Sequence, residues 1–433
     1  MSPRGGELLR HRDFQKLWAG QTVSQLGSQV SQLALPLVAV LVLHASAFYV
    51  ALLGTVDLLP FLLFALPAGV WLDRIPRRPV MIVADAGRCV ALASIPLVAW
   101  YGSLTIWQLY AVGFVTGTFT VFFDVAYQSY LPSLVGRPHL VEGNAKLELS
   151  RSAAQIAGPG LGGVLVGAIT APYAILVDSV SFAVSALLLG RIRRREPRPE
   201  PSAAPNMRAE LMEGLHYLLG DARWRAITLY VSTVNFFSSV TFSLYVVYAV
   251  RQLGLSPGEI GLVFALGNLG WLLGAVVVRR LSGRLGIGST LVFAAFIAGA
   301  ATLLIPLAPV SFAIPFLVTS GVITALGIVL YNVTAISLIQ TLTPDRLLGR
   351  ANASRRWIVW GTIPLGSLTG GALSTVIGVR PTLFVGTIGA SFCFLFLLAK
   401  PLRSITTLPD QEHEAVPLLD DAMLGLESQS AEV

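Results

Sequence analysis

The chain has 433 residues, of which 54% are hydrophobic and only 12% charged, and its mean hydropathy is +0.72. Soluble domains carry roughly 25% charged residues, so this composition excludes a water-covered globule and suits a protein whose outer wall is lipid. The net charge of +7 does not point to nucleic acid, because Lys and Arg gather in short loops on one side of the apolar runs.

Crossing a hydrocarbon core of roughly 30 Å takes about 20 mainly apolar residues. In chain order the sequence predicts spans near 17–43, 47–72, 80–101, 105–130, 147–169 and 172–190. After a polar interruption come 226–250, 258–278, 288–308, 311–339, 357–377 and 381–400. The first run follows Arg4, Arg10, Arg12 and Lys16, as a secretion signal would. It is longer than the roughly 7–15 apolar residues of a signal core and is studded with Gln, so we read it as a retained span.

Loops on one side hold Arg74, Arg77 and Arg78; Arg137 and Lys146; Arg191, Arg193, Arg194 and Arg195; Arg279, Arg280 and Arg284; and Arg346, Arg350, Arg355 and Arg356. The other side holds only Arg251 and Arg380. Basic loops stay in the cytoplasm, so the pattern predicts an all-α membrane protein with twelve transmembrane helices and both termini cytoplasmic. Residues 1–190 form a first six-helix bundle and 226–402 a second. Between them, 191–225 is a cytoplasmic linker, proline-rich at first and then helical in spacing from Met207 to Leu219, at the membrane interface. Residues 403–433 are an acidic, disordered cytoplasmic tail.

The two bundles repeat. A shift of 208 superposes Leu140 on Leu348, Asn144 on Asn352, Gly158 on Gly366, Gly162 and Gly163 on Gly370 and Gly371, and Asp124 on Asn332. A shift of 210 matches Ser28 to Ser238 and Arg74 to Arg284. Two parallel six-span halves related by an axis along the membrane normal are one way to build a secondary transporter, with the substrate near mid-membrane between them.

Ionisable residues deep in a span cost about 2.5–3.5 kcal/mol each and are functional suspects. They are Asp57, Asp85, Arg88, Asp124 and Asp178. Asp57 lies roughly 15 Å from either end of its span at about 1.5 Å per residue. A carboxyl there can exchange a proton and with it its charge, so Asp57, Asp178 and Asp124 are the candidates for proton coupling. A permanent pair of Asp57 with Arg88, or a cluster with Asp85, is the plainer alternative. Asp85 and Arg88 are themselves candidates for an intramembrane ion pair.

Polar and aromatic residues suggest a cavity wall. Gln21, Gln25, Ser28, Gln29 and Gln32 share one face of span 1. That face must meet protein or water, whether as cavity or as a bond between helices. In span 7 stand Asn235, Ser238, Ser239 and Thr241, in span 10 Tyr331 and Asn332, and in span 4 Phe123 and Tyr127 beside Phe122. Cys89 and Cys393 lie in apolar runs without metal or redox spacing and read as packing. With no G-x-x-x-x-G-K-[ST] loop, metal cluster or nucleophile motif, neither an enzyme nor an ATP-driven pump is expected, and no metal or cofactor.

The loop after span 2 spaces Gly69, Asp73, Arg74, Arg77 and Arg78 as G-x-x-x-D-R-x-P-R-R. This resembles the first cytoplasmic signature of the major facilitator superfamily, with Pro76 in place of its second glycine. Gly158, Pro159, Gly162 and Gly163 in span 5 are similar to the G-P-x-x-G-G signature of proton-driven exporters, with Ala145 and Ala154 replacing two upstream glycines. Leu131-Pro132-Ser133-Leu134-Val135 followed by Asn144-Ala145 resembles the siderophore-export and macrolide-efflux branch.

The resemblance implies that Asp73 caps a helix of the opposite half and that Arg77 pairs with Asp124, a conformational latch. It implies that span 1 lines the central cavity and that span 5 seals against leak. The implied activity is export of small amphipathic or lipophilic compounds in exchange for protons, by a monomer in the bacterial inner membrane. An importer of the same fold is the alternative, although an anion importer would want more cavity charge than Arg88. A receptor or scaffold would want a folded soluble domain.

Overall fold

The computed structural model describes residues 7–72, 74–194, 196, 207–403 and 405, which are helical and include no strand. The first six long helices are α1 (Arg12–Leu37, continued by a π-helical turn Val38–Val42), α2 (Ala47–Leu72), α3 (Arg77–Trp100), α4 (Ile106–Val135), α5 (Leu140–Ile169) and α6 (Ala171–Gly190). The expected linker helix is α7 (Met207–Gly220).

The second group begins with α8 (Ala222–Arg251), capped by the Asp221 carboxylate on the Arg223 and Trp224 amides. It continues with α9 (Pro257–Gly267) and α10 (Leu269–Leu285), one run interrupted at Asn268. Then come α11 (Ile287–Thr302) with the short α12 (Leu304–Leu307), α13 (Ala313–Leu342), α14 (Asp345–Ile377), α15 (Val379–Phe392, extended to Leu398) and α16 (Lys400–Arg403).

Among the described residues, eleven helical segments are long and apolar enough to cross a membrane. The one expected span missing from that set is α14. Its first turns carry Arg350, Arg355 and Arg356, yet it runs 33 residues and packs along both α2 and α8. The Pro-rich stretch 197–206, Arg195 and the tail beyond Ile405 lie outside the described residues.

The repeat is written into the backbone. Between α1 and α2 the chain turns at His44 (φ 49), and between α8 and α9 at Gly254 (φ 69). Both turns close with the same bonds: Leu43 N to Val38 O (3.1 Å) and Ala45 N to Ala39 O (2.9 Å) in the first, Leu253 N to Tyr248 O (3.1 Å) and Leu255 N to Ala249 O (2.9 Å) in the second. Thr170 (φ 68) after α5 and Gly378 (φ 87) after α14 form another pair. Positive φ is uncommon outside glycine, yet His44 and Thr170 adopt it at turns where the second group places glycine.

Packing repeats in the same way. α1 lies on α5 and α6 as α8 lies on α14 and α15; α3 meets α4 and α6 as α11 meets α13 and α15. Between the groups, α5 packs on α9 and α2 on α14. The matched glycines make these contacts. Gly158 and Gly162 abut Gln29 and Val30 of α1, while Gly366 and Gly370 abut Phe236 and Val240 of α8. Gly163 lies on the backbone of α9, where a methyl would stand 2.6 Å from the Pro257 carbonyl oxygen and 2.9 Å from the Gly261 Cα. Gly371 lies on Ala51 of α2. Small residues let helices approach where lipid provides no hydrophobic drive between them.

Among the described residues, hydrogen bonds cross this seam from Arg251 Nη2 to Ala45 O (2.7 Å), Thr55 Oγ1 to Pro364 O (3.4 Å) and Asn268 Nδ2 to Gln155 O (2.5 Å). They lie at mid-depth or toward the end that holds Arg251 and Arg380. Toward the other, arginine-rich end a groove separates α2 and α4 from α14.

Candidate functional site

The groove at the arginine-rich end has a volume of about 310 Å³. One wall carries Phe61 and Leu62 of α2 with Asp124 and Gln128 of α4; the other carries Asn352, Arg356, Trp357 and Trp360 of α14. The Arg356 guanidinium stacks 4.3 Å over the Trp360 ring, and Trp360 reaches across to Phe61 at 5.5 Å between centroids. Asp124 therefore looks toward the second helix group.

The expected pairing of Asp124 with Arg77 does not occur here. Glu196 sits at the start of α3, accepting from the amides of Arg77 (2.8 Å) and Arg78 (3.2 Å), and Arg77 Nη1 turns to it at 3.3 Å. A carboxylate is favoured at a helix N-terminus, and it draws the arginine with it. Arg78 donates to Leu189 O (2.9 Å) and Gly190 O (2.6 Å), satisfying the last carbonyls of α6. Arg74 is exposed just past α2, and Gly69 has open space where a side chain would go. Asp73 lies outside the described residues.

A second, larger cavity of about 440 Å³ lies within the second helix group. Asn235, Ser238, Ser239, Phe242 and Tyr245 give it one face of α8. Phe264, Asn268 and Trp271 come from the α9–α10 break, and Ser320 and Thr324 from α13. Asn235 Nδ2 also donates to Val359 O of α14 at 3.4 Å. The cavity abuts the seam: Asn268 holds the α5 carbonyl, and the lining residue Ile363 of α14 precedes Pro364, whose carbonyl accepts from Thr55.

The acids fall in three settings. Asp85 and Arg88 form the expected ion pair, 0% and 8% exposed in their side chains. The guanidinium is clamped between the rings of Phe182 (4.1 Å) and Phe123 (4.5 Å) and has Thr120 Oγ1 at 3.4 Å. Asp178 is buried on α6, accepting from Ser181 Oγ at 3.0 Å. It packs against α1 at Gly27, where a methyl would stand 2.6 Å from its Oδ1. Asp57 is half-buried on α2, beside Gly113 and Gly117 of α4. Arg88 is engaged with Asp85, and no ion pair to Asp57 occurs among the described residues.

The glutamine stripe of α1 is not one surface. Gln21 is buried (7% exposed), Gln25 and Gln29 are half-buried and Gln32 is exposed. Gln29 packs on Gly158 of α5, and neither cavity is lined by the stripe. Phe123 and Tyr127 stack on one another (6.1 Å) beside Arg88 within the first group. Tyr331 is buried against Tyr230 (4.6 Å), and Asn332 is exposed. Of the expected cavity residues, the span-7 set Asn235, Ser238, Ser239 and Thr241 lines the larger cavity. Phe242, Tyr245, Asn268, Trp271, Arg356 and Trp360 were not anticipated. The spacing of 235, 238, 239, 242 and 245 would have joined the α8 residues into one stripe.

A sequence profile described as Major Facilitator Superfamily matches residues 17–362. Macrolide efflux protein A of Streptococcus pyogenes is 24% identical over 85% of this chain and 90% of its own. Multidrug efflux pump Tap of Mycobacterium tuberculosis (strain ATCC 25618 / H37Rv) is 27% identical over 82% and 85%. Among solved structures, a bacterial homologue of the iron transporter ferroportin in its inward-facing state superposes with a TM-score of 0.70 at 19% identity, over 90% of this chain and 98% of that one.

Proposed function

This chain belongs to the Major Facilitator Superfamily, a multi-pass membrane transporter and not an enzyme, and from that we propose that it is a proton-driven exporter of small amphipathic or lipophilic compounds. The observation that carries the reading is the duplicated bundle, joined through Gly163, Gly371 and the seam hydrogen bonds at mid-depth and toward one end, and grooved toward the arginine-rich end. Such a seam can open to either face in turn. The likeness to two efflux proteins supports the outward direction. The arginine-rich end is cytoplasmic in this reading, α14 is the twelfth span, and the protein works as a monomer in the bacterial inner membrane.

Asp57, Asp178 and Asp124 are the proton carriers we propose. Asp57 comes first, because it is deep in α2 and, among the described residues, has no cationic partner that would hold it permanently charged. A carboxylate that must pass through hydrocarbon-facing surroundings is favoured when it has taken up a proton, so loading and unloading bias the two conformations differently. Asp73, Arg74, Arg77 and Arg78 beside Gly69 form the latch at the cytoplasmic end, and Asp124 facing Arg356 across the groove adds an attraction that strengthens as the groove narrows.

The test is flux in proteoliposomes. Transport of a macrolide against its gradient should follow an imposed proton gradient and collapse with an uncoupler. Asp57→Asn should abolish gradient-driven flux while leaving the protein folded. Macrolide flux indifferent to the proton gradient would sink the coupling, and full coupled flux in Asp57→Asn would clear that residue.

A further inference from the structure

The two helix groups differ in what they bury. The deep carboxylates, Asp57, Asp85, Asp124 and Asp178, all belong to the first. The 440 Å³ cavity belongs to the second, and its lining carries no carboxylate, amine, guanidinium or imidazole. The phenol of Tyr245 is its only titratable group among the described residues. What it offers is neutral hydrogen bonding from Asn235, Ser238, Thr324 and Asn268, and flat apolar surface from Phe242 and Trp271. A cavity of this size and make-up, mostly apolar with a few convergent polar groups, is what a small organic ligand fits. An ion placed there would surrender its hydration without meeting an opposite charge.

We propose that this cavity is the docking subsite for the transported compound, that the part of the compound held there is uncharged and aromatic or aliphatic with hydrogen-bonding atoms, and that it is separate from the groups that exchange protons. The transport role of the subsite rests on the exporter reading above. In this arrangement proton and cargo do not compete for one carboxylate. Their exchange is enforced through helix positions. Asn268 supplies the mechanical link, because it sits at the break between α9 and α10, faces the cavity and donates to Gln155 O of α5. It lies roughly 16 Å along the helix from Pro257, at about 1.5 Å per residue, and so near mid-depth.

Binding to the full-length chain in lipid nanodiscs tests this with two probes of similar shape: uncharged triphenylphosphine oxide and the cation tetraphenylphosphonium. The oxide should bind saturably and the cation at least about tenfold more weakly. Ser238→Trp, at an exposed position on the cavity rim, and Thr324→Phe should each weaken oxide binding by about tenfold or more with the thermal transition retained. Asp57→Asn and Asp178→Asn should each still bind the oxide saturably. The proposal is overturned by no saturable oxide binding, by cation binding as tight, by unaltered binding in both filled-cavity variants, or by loss of binding in the aspartate variants. Failure of the exporter reading looks different: binding would persist and respond to the cavity variants, while the proton gradient drove no flux.

Discussion

At the scale of single residues, Arg88 has the most fixed surroundings in the first helix group. Its charge is matched by Asp85 and its flat faces by Phe123 and Phe182. Arg88→Leu leaves a buried carboxylate without its partner and should cost about 3–5 kcal/mol, read as a lowered thermal transition in detergent. Arg88→Lys should recover little, because an ammonium cannot stack between two rings. The double change Asp85→Leu with Arg88→Met should recover most of the loss; if it melts as low as Arg88→Leu, the pair matters for more than charge balance. Gly163→Ala meets backbone of α9, which cannot swing aside, and should cost about 1–3 kcal/mol. Gly371→Ala meets the Ala51 Cβ, which is fixed to its backbone, and should cost a similar amount; a negligible loss in either variant would count against close packing at that contact. The spacing of Asp85 and Arg88 made their pairing readable in the sequence. The Arg77–Asp124 pair implied by the resemblance is not made here because Arg77 is held by Glu196, a linker residue whose docking at α3 no local pattern announces.

At the scale of elements, helix positions followed from apolar run length, and α7 emerged where leucine spacing put it. The break at Asn268 was hidden, because the run from Ile260 to Val278 stays apolar on both sides of it. The break shows only through what Asn268 reaches, a carbonyl 113 residues earlier in the chain. Equal spacing fixes a face of α1 but not the surroundings along it: Gln21 is buried, Gln29 packs on Gly158 of α5 and Gln32 is exposed. The docking of α7 is equally a matter of partners. Gly214 lies directly on the Arg350 carbonyl of α14, Glu213 pairs with the Arg350 side chain and Tyr217 reaches Leu342 O. Gly214→Leu would collide with that carbonyl and should lift α7 from the bundle. Trypsin should then cut at Arg223 or Arg225 severalfold faster than in the parent chain; unchanged digestion would mean that α7 is held by other contacts.

At the scale of the whole molecule, a duplication visible as a few matched glycines becomes a duplicated set of turns, helix pairs and seam contacts. The joined end predicts a lock. Ala51→Cys with Gly371→Cys places two thiols across α2 and α14, and oxidation should arrest macrolide flux until a reductant is added. Continued flux through the oxidised protein would mean that this end does not need to part. Labelling of single cysteines near Arg77 and Arg194 should find both on one face of the membrane, and opposite faces would break the symmetry argued here. The attachment of α7 to α14 has one more consequence. The second helix group carries α7 at the arginine-rich end, and residues 197–206 join it in sequence to the first. Two separate polypeptides, one ending and the next beginning within that stretch, should therefore find each other in a bilayer and restore activity without any peptide bond between them.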